Sequence, residues 1–185
     1  MLNLQEKYKK EVIPEMMKTF GYKSPMAVPR ITKVVINSGF GKAVVGKGSG
    51  EREVIEKYIS DNLMAVTGQK PSLRKAKKSI ATFKLREGMN IGATVTLRGS
   101  RMNDFLEKLI WLVLPRKRDF RGISKNSVSR TGELSIGLKE HILFPEVRIE
   151  KEKGIFGLEV VIATSAKNKE EALELFKLLG FPMEK

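Results

Sequence analysis

The sequence predicts an α+β fold: a single domain over residues 1–185, with an antiparallel-dominated β-sheet, helices packed on one face and a projecting basic loop. Three observations predict it. Segments with apolar residues at helical spacing alternate with short β-branched segments. Two of the short segments are joined by a tight connection, as in a hairpin. No stretch has the length and composition of a linker between two domains, and 185 residues with 41% hydrophobic side chains are enough to bury a core.

The first third of the chain predicts two helices around one strand. Asn3 with Glu6 is typical of an N-cap and capping box, and Pro14 is expected to break or kink the helix that follows. Ile31–Asn37 is rich in β-branched residues and predicts a strand. Glu51–Val66 carries one apolar stripe and predicts a helix.

The remainder predicts a hairpin, further strands and two helices. Ser79–Leu85 and Gly92–Leu97 predict the two strands of the hairpin. Ser100 is the expected N-cap of a helix that ends at Pro115. The last predicted elements are strands at Leu134–Leu138, Glu146–Ile149 and Ile155–Thr164, and a helix at Lys169–Leu179 closed by Gly180 and Pro182.

Composition excludes several kinds of site. The chain has no cysteine, which excludes disulfides, thiolate metal ligands and a cysteine nucleophile, and fits a reducing compartment. His141 is the single histidine, so paired imidazole ligands are excluded, and we expect it to pack or hydrogen-bond rather than catalyse. The longest purely aliphatic and aromatic run is Leu109–Leu114, too short to span a membrane. We therefore expect a soluble cytoplasmic protein with no metal, cofactor or membrane partner.

The net charge of +14 indicates a polyanionic partner. The excess lies in one part of the chain: residues 1–132 are strongly basic, whereas residues 133–185 hold 8 basic and 10 acidic side chains. The basic surface is therefore expected to be local.

The densest basic segment is Lys70–Arg86, which contains no acidic residue. Lysine and arginine side chains bind phosphates and release condensed counterions, so this segment predicts a nucleic-acid contact. The alternative is an ordinary solvated loop.

A second basic segment, Pro115–Gly122, surrounds Phe120 with cationic side chains. The arginines suit phosphate contacts. Phe120 either stacks on an unpaired base or packs in the core, with Asp119 paired to a neighbouring arginine; core packing is the favoured alternative.

Gly41–Lys47 has the glycine and lysine spacing of a phosphate-cradling loop. The next residue is Gly48, so the hydroxyl that would hold magnesium is missing, and Glu51 and Glu53 would repel a triphosphate. These differences argue against nucleotide hydrolysis.

Several long segments occur in an order that resembles the bacterial ribosomal protein L5 family of the large subunit, and the resemblance covers nearly the whole chain. The segments are Val28–Asn37, Thr67–Pro71, Lys75–Gly99, Leu114–Ser124, Gly137–Glu146 and Leu178–Pro182. Two other segments depart from the family: Gly41–Glu53 looks longer and more glycine-rich, and Ser127–Gly137 has lost aromatic residues.

The resemblance implies a structural RNA binder, not an enzyme, with a sheet packed by helices on one side. It implies binding to 5S ribosomal RNA, attachment of that RNA to the large-subunit RNA in the central protuberance, and contact with peptidyl-site tRNA through a basic loop. The neighbouring ribosomal proteins would include a small-subunit head protein across the intersubunit bridge.

Residues matching the family's contacts fall into three sets. The 5S set is Asn37, Gln69, Lys70, Thr96 and Arg98; the tRNA set is Arg74, Lys75, Lys77, Lys78, Ser79 and Thr82; the set for other ribosomal RNA is Arg116, Lys117, Arg118 and Arg121. Two other function classes are open: an enzyme acting on tRNA or another RNA, and a nucleotide hydrolase built on Gly41–Gly48.

Overall fold

The computed structural model describes residues 3–118, 120–147 and 154–184. These residues form an α+β fold with a five-stranded antiparallel sheet, which confirms the predicted fold class. The strand order is β2-β3-β1-β5-β4. The strands are β1 (Ile31–Gly39), β2 (Ser72–Lys75), β3 (Asn90–Leu97), β4 (Leu134–Leu138) and β5 (Leu158–Thr164).

The helices carry the larger apolar side chains of the core. Two of them are compound: α1 runs through Leu4–Lys7, a π-helical stretch Tyr8–Val12 and Ile13–Phe20, and α4 runs through Gly99–Lys108, a π-helical stretch Leu109–Val113 and Leu114–Arg116. The others are α2 (Gly41–Val44), α3 (Ser49–Thr67) and α5 (Lys169–Leu179). No helix in the described ranges is long and apolar enough to cross a membrane.

The chain divides into two compact units. Unit 1 comprises residues 1–34, 97–136 and 161–185, and unit 2 comprises residues 35–96 and 137–160. Fully buried side chains of unit 1 include Met16, Leu106, Leu109 and Phe176. Those of unit 2 include Ile36, Val44, Leu63 and Phe144. Organisation as a single domain stays a prediction.

The predicted hairpin is wrong in one strand. β3 pairs with β2, where Ser72 lies opposite Thr94 and Arg74 opposite Gly92. The predicted strand Ser79–Leu85 is instead a closed turn: Ile80 and Leu85 exchange backbone hydrogen bonds of 3.0 and 3.1 Å around a 3₁₀ turn at Ala81–Phe83. Its β-branched residues gain no partner strand, so pairing with β3 overrides local propensity.

Both prolines in the predicted helices are accommodated. Pro14 does not break α1, because the π-helical turn before it changes which backbone donors the ladder requires. Pro115 likewise follows a π-helical turn, and α4 continues to Arg116. Ser100 is not the cap of α4: the cap position is Arg98, and Ser100 lies inside the first turn.

Other boundaries are close to those predicted. Asn3 caps α1, since its side-chain oxygen accepts a hydrogen bond from the Gln5 backbone N–H at 3.1 Å. The helix α5 has the predicted bounds, and Gly180 closes it with a φ of 96°. The strand predicted at Ile155–Thr164 begins at Leu158. Of the strand predicted at 146–149, residues 146 and 147 are not in a strand, and 148 and 149 lie outside the described residues.

Candidate nucleic-acid interface

In unit 2, β1 and β3 present one buried and one partly open face. Ile36 and Ser38 of β1 are buried, as are Ala93 and Val95 of β3. The alternate side chains are only half-buried, as expected when successive side chains of a strand point to opposite faces. We call these alternate residues, together with their neighbours on β2, the open face: Asn37, Ser72, Arg74, Thr94 and Thr96.

A cross-strand hydrogen bond organises this open face. The Thr94 hydroxyl donates to the side-chain carbonyl oxygen of Asn37 at 3.0 Å. Ser72 is the register partner of Thr94 on the other side, so three small polar side chains lie across three neighbouring strands. The arrangement offers hydrogen-bonding groups without net charge, suited to ribose or base atoms.

Gly92 lets the strands approach closely beside this polar row. A Cβ atom at this position would lie 3.2 Å from the backbone oxygen of Ser38 and 3.8 Å from the Cβ atom of Arg74. Arg74 is the register partner of Gly92 and is exposed. The open face therefore gains one cation directly beside its uncharged donors and acceptors.

The turn after α3 holds two more of the predicted residues. Gly68 ends the helix in the left-handed conformation, with a φ of 66°. The Thr67 hydroxyl lies 2.7 Å from the Leu63 carbonyl oxygen and 3.1 Å from that of Gln69. Pro71 is buried, Gln69 is half-buried and Lys70 is exposed. The turn thus holds Gln69 while Lys70 stays in solvent.

Thr96 and Arg98, the remaining members of the predicted 5S set, belong to different units. Thr96 is half-buried on the open face of unit 2. Arg98 is exposed in unit 1, at the N-cap position of α4.

The predicted tRNA set is distributed over a strand and a loop. Arg74 and Lys75 lie in β2, not in a loop, which corrects that part of the prediction. Residues 76–89 form the loop, here called the basic loop. It is closed at its base by hydrogen bonds from Ala76 N to Met89 O at 2.8 Å and from Gly88 N to Ala76 O at 3.0 Å. Its exposed members of the predicted set are Lys77, Lys78, Ser79 and Thr82.

The second basic segment begins in the last turn of α4, in unit 1. Arg116, Arg118 and Arg121 are exposed, and Lys117 and Phe120 are half-buried, which leaves both roles for Phe120 open. Asp119 lies outside the described residues. The segment is anchored just beyond Arg121, because Ile123 exchanges backbone hydrogen bonds of 2.7 and 2.9 Å with Pro182 and Glu184.

Residues 41–48 do not match a phosphate-cradling loop. Gly41–Val44 forms the short helix α2, and α3 starts at Ser49 with Glu51 in its first turn. A carboxylate there offsets the positive end of the helix that would attract a phosphate. In the described parts of the chain, no group of three or more His, Asp or Glu side chains is placed to hold a metal ion.

His141 packs as the sequence predicts, although more deeply. Its side chain is buried, its Nε2 lies 3.2 Å from the Tyr58 hydroxyl, and its Nδ1 accepts a hydrogen bond from the Phe156 backbone N–H at 3.3 Å. The ring stacks on that of Phe156, with centroids 3.8 Å apart. Burial lowers the pKa of His141, which favours the neutral ring.

Sequence reasoning missed two residues of the open face, Ser72 and Thr94. For Thr94 a signal was present: in the predicted strand Gly92–Leu97, alternation places Thr94 and Thr96 on the same face. For Ser72 none was present, because β2 is short, exposed throughout and identified only by its pairing with β3.

Comparisons with known proteins agree with the resemblance. A family model described as Ribosomal protein L5 matches residues 24–86, and a second model, described as the C-terminus of the same ribosomal family, matches residues 90–183. Proteins named large ribosomal subunit protein uL5 are similar over nearly the whole chain.

The relative from Dictyoglomus turgidum is 54% identical over 182 residues, covering 98% of both chains. That from Kosmotoga olearia is 50% identical over 182 residues, covering 98% of this chain and 96% of its own. That from Chloroflexus aurantiacus is 52% identical over 181 residues, covering 98% and 97%. With both family models matched in order and about half of all positions identical, the chain belongs to the ribosomal protein L5 family.

Proposed function

We propose that this protein, by its family a structural constituent of the large subunit of the cytoplasmic ribosome, binds 5S ribosomal RNA and helps attach it to the large ribosomal RNA in the central protuberance. The family is not a class of enzymes. A large-subunit protein has ribosomal RNA and ribosomal proteins as partners. The observation that carries the proposal is the open face, where uncharged polar side chains lie beside exposed cations.

The 5S contact uses the open face and the turn after α3. Asn37, Thr96 and Gln69 supply amide and hydroxyl groups for ribose and base atoms, and Lys70 and Arg98 supply charge for phosphates. Side chains that are half-buried before binding lose little rotamer freedom when they bind, which favours a specific contact over a diffuse one.

The basic loop makes a separate contact with peptidyl-site tRNA. Between Lys70 and Arg86 the seven basic side chains are all exposed, and no acidic residue lies among them. Because hydrogen bonds close the loop at Ala76, its lysines are carried on an ordered segment. Such a segment holds a phosphate backbone by charge and shape without reading the base sequence.

The second basic segment serves the large ribosomal RNA. Arg116, Arg118 and Arg121 suit bidentate contacts to phosphates, with Lys117 beside them. A further partner of the proposal is a small-subunit head protein across the intersubunit bridge, which rests on the family resemblance alone.

A filter-binding titration against 5S RNA, with tRNA and a generic RNA duplex as competitors, tests the main proposal. We expect 5S RNA to bind tightly, to resist both competitors and to weaken steeply as salt is raised. Equal competition by the duplex would reduce the protein to a non-specific binder. Magnesium-dependent cleavage of ATP or GTP by the purified protein would support the hydrolase alternative instead.

A further inference from the structure

A groove in unit 2 separates the tip of the basic loop from the glycine-rich segment, and nothing above uses it. Its volume is about 470 Å³, within the range of ligand-binding clefts. It is lined by Gly41, Lys42 and Val45 on one side and by Thr82, Phe83, Lys84 and Leu85 on the other.

Phe83 is the main feature of this groove. Its side chain is 65% exposed, a large fraction for an aromatic residue. It belongs to the 3₁₀ turn held by the reciprocal hydrogen bonds between Ile80 and Leu85, so the ring is carried on an ordered turn. Aromatic side chains presented in this way provide stacking platforms for nucleobases.

The tip is also strained in its backbone. Lys84 has a φ of 48° and is the one non-glycine residue with positive φ in the described chain. That conformation costs free energy for a residue with a Cβ atom, and such strain concentrates at ligand-contacting sites. At this position it ends the 3₁₀ turn and lets Leu85 pair back with Ile80.

The charges around the groove favour a polyanion. Lys42 and Lys84 are both exposed, one on each side, and the groove has no acidic lining residue. The apolar lining suits a flat ring, and the two ammonium groups suit the phosphates that flank it. A free nucleotide is the other source of this chemistry, but the absence of a hydroxyl after Lys47 and the glutamate in the first turn of α3 disfavour a triphosphate.

We propose that this groove takes an unpaired nucleobase of RNA, which stacks on Phe83 while Lys42 and Lys84 contact the adjacent phosphates. The inference rests on the proposed contact between the basic loop and RNA, and it assigns to the loop a base-stacking contact in addition to its charge. It also gives the glycine-rich segment a role as the opposite wall of the groove.

The test uses the full chain with hexauridylate as the single-stranded probe, a blunt RNA duplex as the paired probe and uridine monophosphate as the free nucleotide. Phe83→Leu keeps an apolar side chain but removes the aromatic face, and we expect it to weaken hexauridylate binding roughly 5- to 150-fold, the range for losing one stacked base. Phe83→Tyr should bind like the parent. Ile155→Ala is the matched control, because Ile155 is 61% exposed in the same unit but lies outside the groove.

Two further measurements make the outcome specific. Lys42→Ala and Lys84→Gly should each lower the salt slope for hexauridylate by about 0.7, the value for one single-strand phosphate contact; glycine at position 84 also tolerates the positive φ. Ring-proton resonances of Phe83 should move on binding hexauridylate and stay in place with the duplex.

Unchanged hexauridylate binding by Phe83→Leu would overturn the inference, and so would an equal loss with the duplex. Uridine monophosphate binding as tightly as hexauridylate would indicate a free-nucleotide site instead. If replacing Lys75, Lys77 and Lys78 by alanine weakens RNA binding while Phe83→Leu does not, the groove inference fails and the proposed function of the loop stands. If the parent binds no RNA at low salt, both fail.

Discussion

The Thr94 hydroxyl on β3 donates a hydrogen bond to the side-chain carbonyl oxygen of Asn37 on β1, with the two oxygens 3.0 Å apart. This bond fixes the orientation of the Asn37 amide and leaves its NH₂ group to donate to an RNA oxygen. The two residues therefore act as one unit in the proposed 5S contact, although the resemblance implicates only Asn37.

Removing the hydroxyl of Thr94 should weaken 5S binding through Asn37. We expect Thr94→Val, which keeps the side-chain shape, to lose about 0.5–1.5 kcal/mol of binding free energy, the net value of one hydrogen bond. Thr94→Ser should retain it. In an Asn37→Ala background the valine change should have no further effect, because coupled residues are not additive. Equal losses in both backgrounds would show that Thr94 acts independently.

Lysines of the basic loop should affect tRNA more than 5S RNA. We expect the combined change of Lys75, Lys77 and Lys78 to alanine to spare most 5S incorporation and to accelerate tRNA dissociation from the peptidyl site of reconstituted ribosomes. Each lost phosphate contact should also lower the salt slope of the affected step by roughly one. Abolished 5S incorporation, or an unchanged tRNA off-rate with normal incorporation, would contradict this division.

The glycine and lysine motif at residues 41–47 should not bind a nucleoside triphosphate. Lys47→Ala should leave 5S binding nearly unchanged, and magnesium with ATP should not raise the melting temperature of the parent, since a ligand that binds the native state must stabilise it. A rise of several degrees in a thermal scan would show that the motif does bind a nucleotide.

Gly122 should be intolerant of a side chain. Its φ is 118°, and a Cβ atom would lie 2.8 Å from the backbone nitrogen of Glu184 in the C-terminal segment. We expect Gly122→Ala to lower the free energy of unfolding by about 1–3 kcal/mol or more in a urea titration. Gly46→Ala is the control, because Gly46 has a φ of 80° with open space around it and should lose less. Equal losses would mean that the C-terminal contact contributes nothing.

His141 should make unit 2 less stable in mild acid. Burial lowers the pKa of its imidazole below the usual 6.5, so the unfolded chain binds a proton more readily than the folded one. The stabilising contribution is complete above about pH 6.5 and is lost as the pH falls through the lower, folded-state pKa. In urea titrations across this range, the parent should lose more stability than His141→Gln. Identical pH dependence of the two would contradict the prediction.

The sequence predicted those elements whose stability is local. The helix α5 has its predicted ends because an apolar stripe, acidic first-turn residues and a closing glycine all act within it. The polar residues Asn37 and Gln69 could be selected from the family resemblance, and the structure places each at least half-buried.

What depends on partners distant in the chain could not be predicted. β2 is a strand only because β3 supplies its hydrogen-bonding partners, so Arg74 and Lys75 were assigned to a loop. The bond between Thr94 and Asn37 joins residues 57 positions apart, and the groove beside Phe83 brings together segments separated by tens of residues. Neither has a local signature.

The most direct test of the central claim is the affinity of 5S RNA for Asn37→Ala and Gln69→Ala at moderate salt, with Asn126→Ala as an exposed asparagine away from the open face. The proposed contact predicts a loss of about 1–3 kcal/mol for each of the first two variants, the cost of leaving a buried hydrogen-bonding partner unpaired. It predicts parental binding for the third. If Asn37→Ala and Gln69→Ala both bind 5S RNA like the parent, the open face is not the 5S-binding surface.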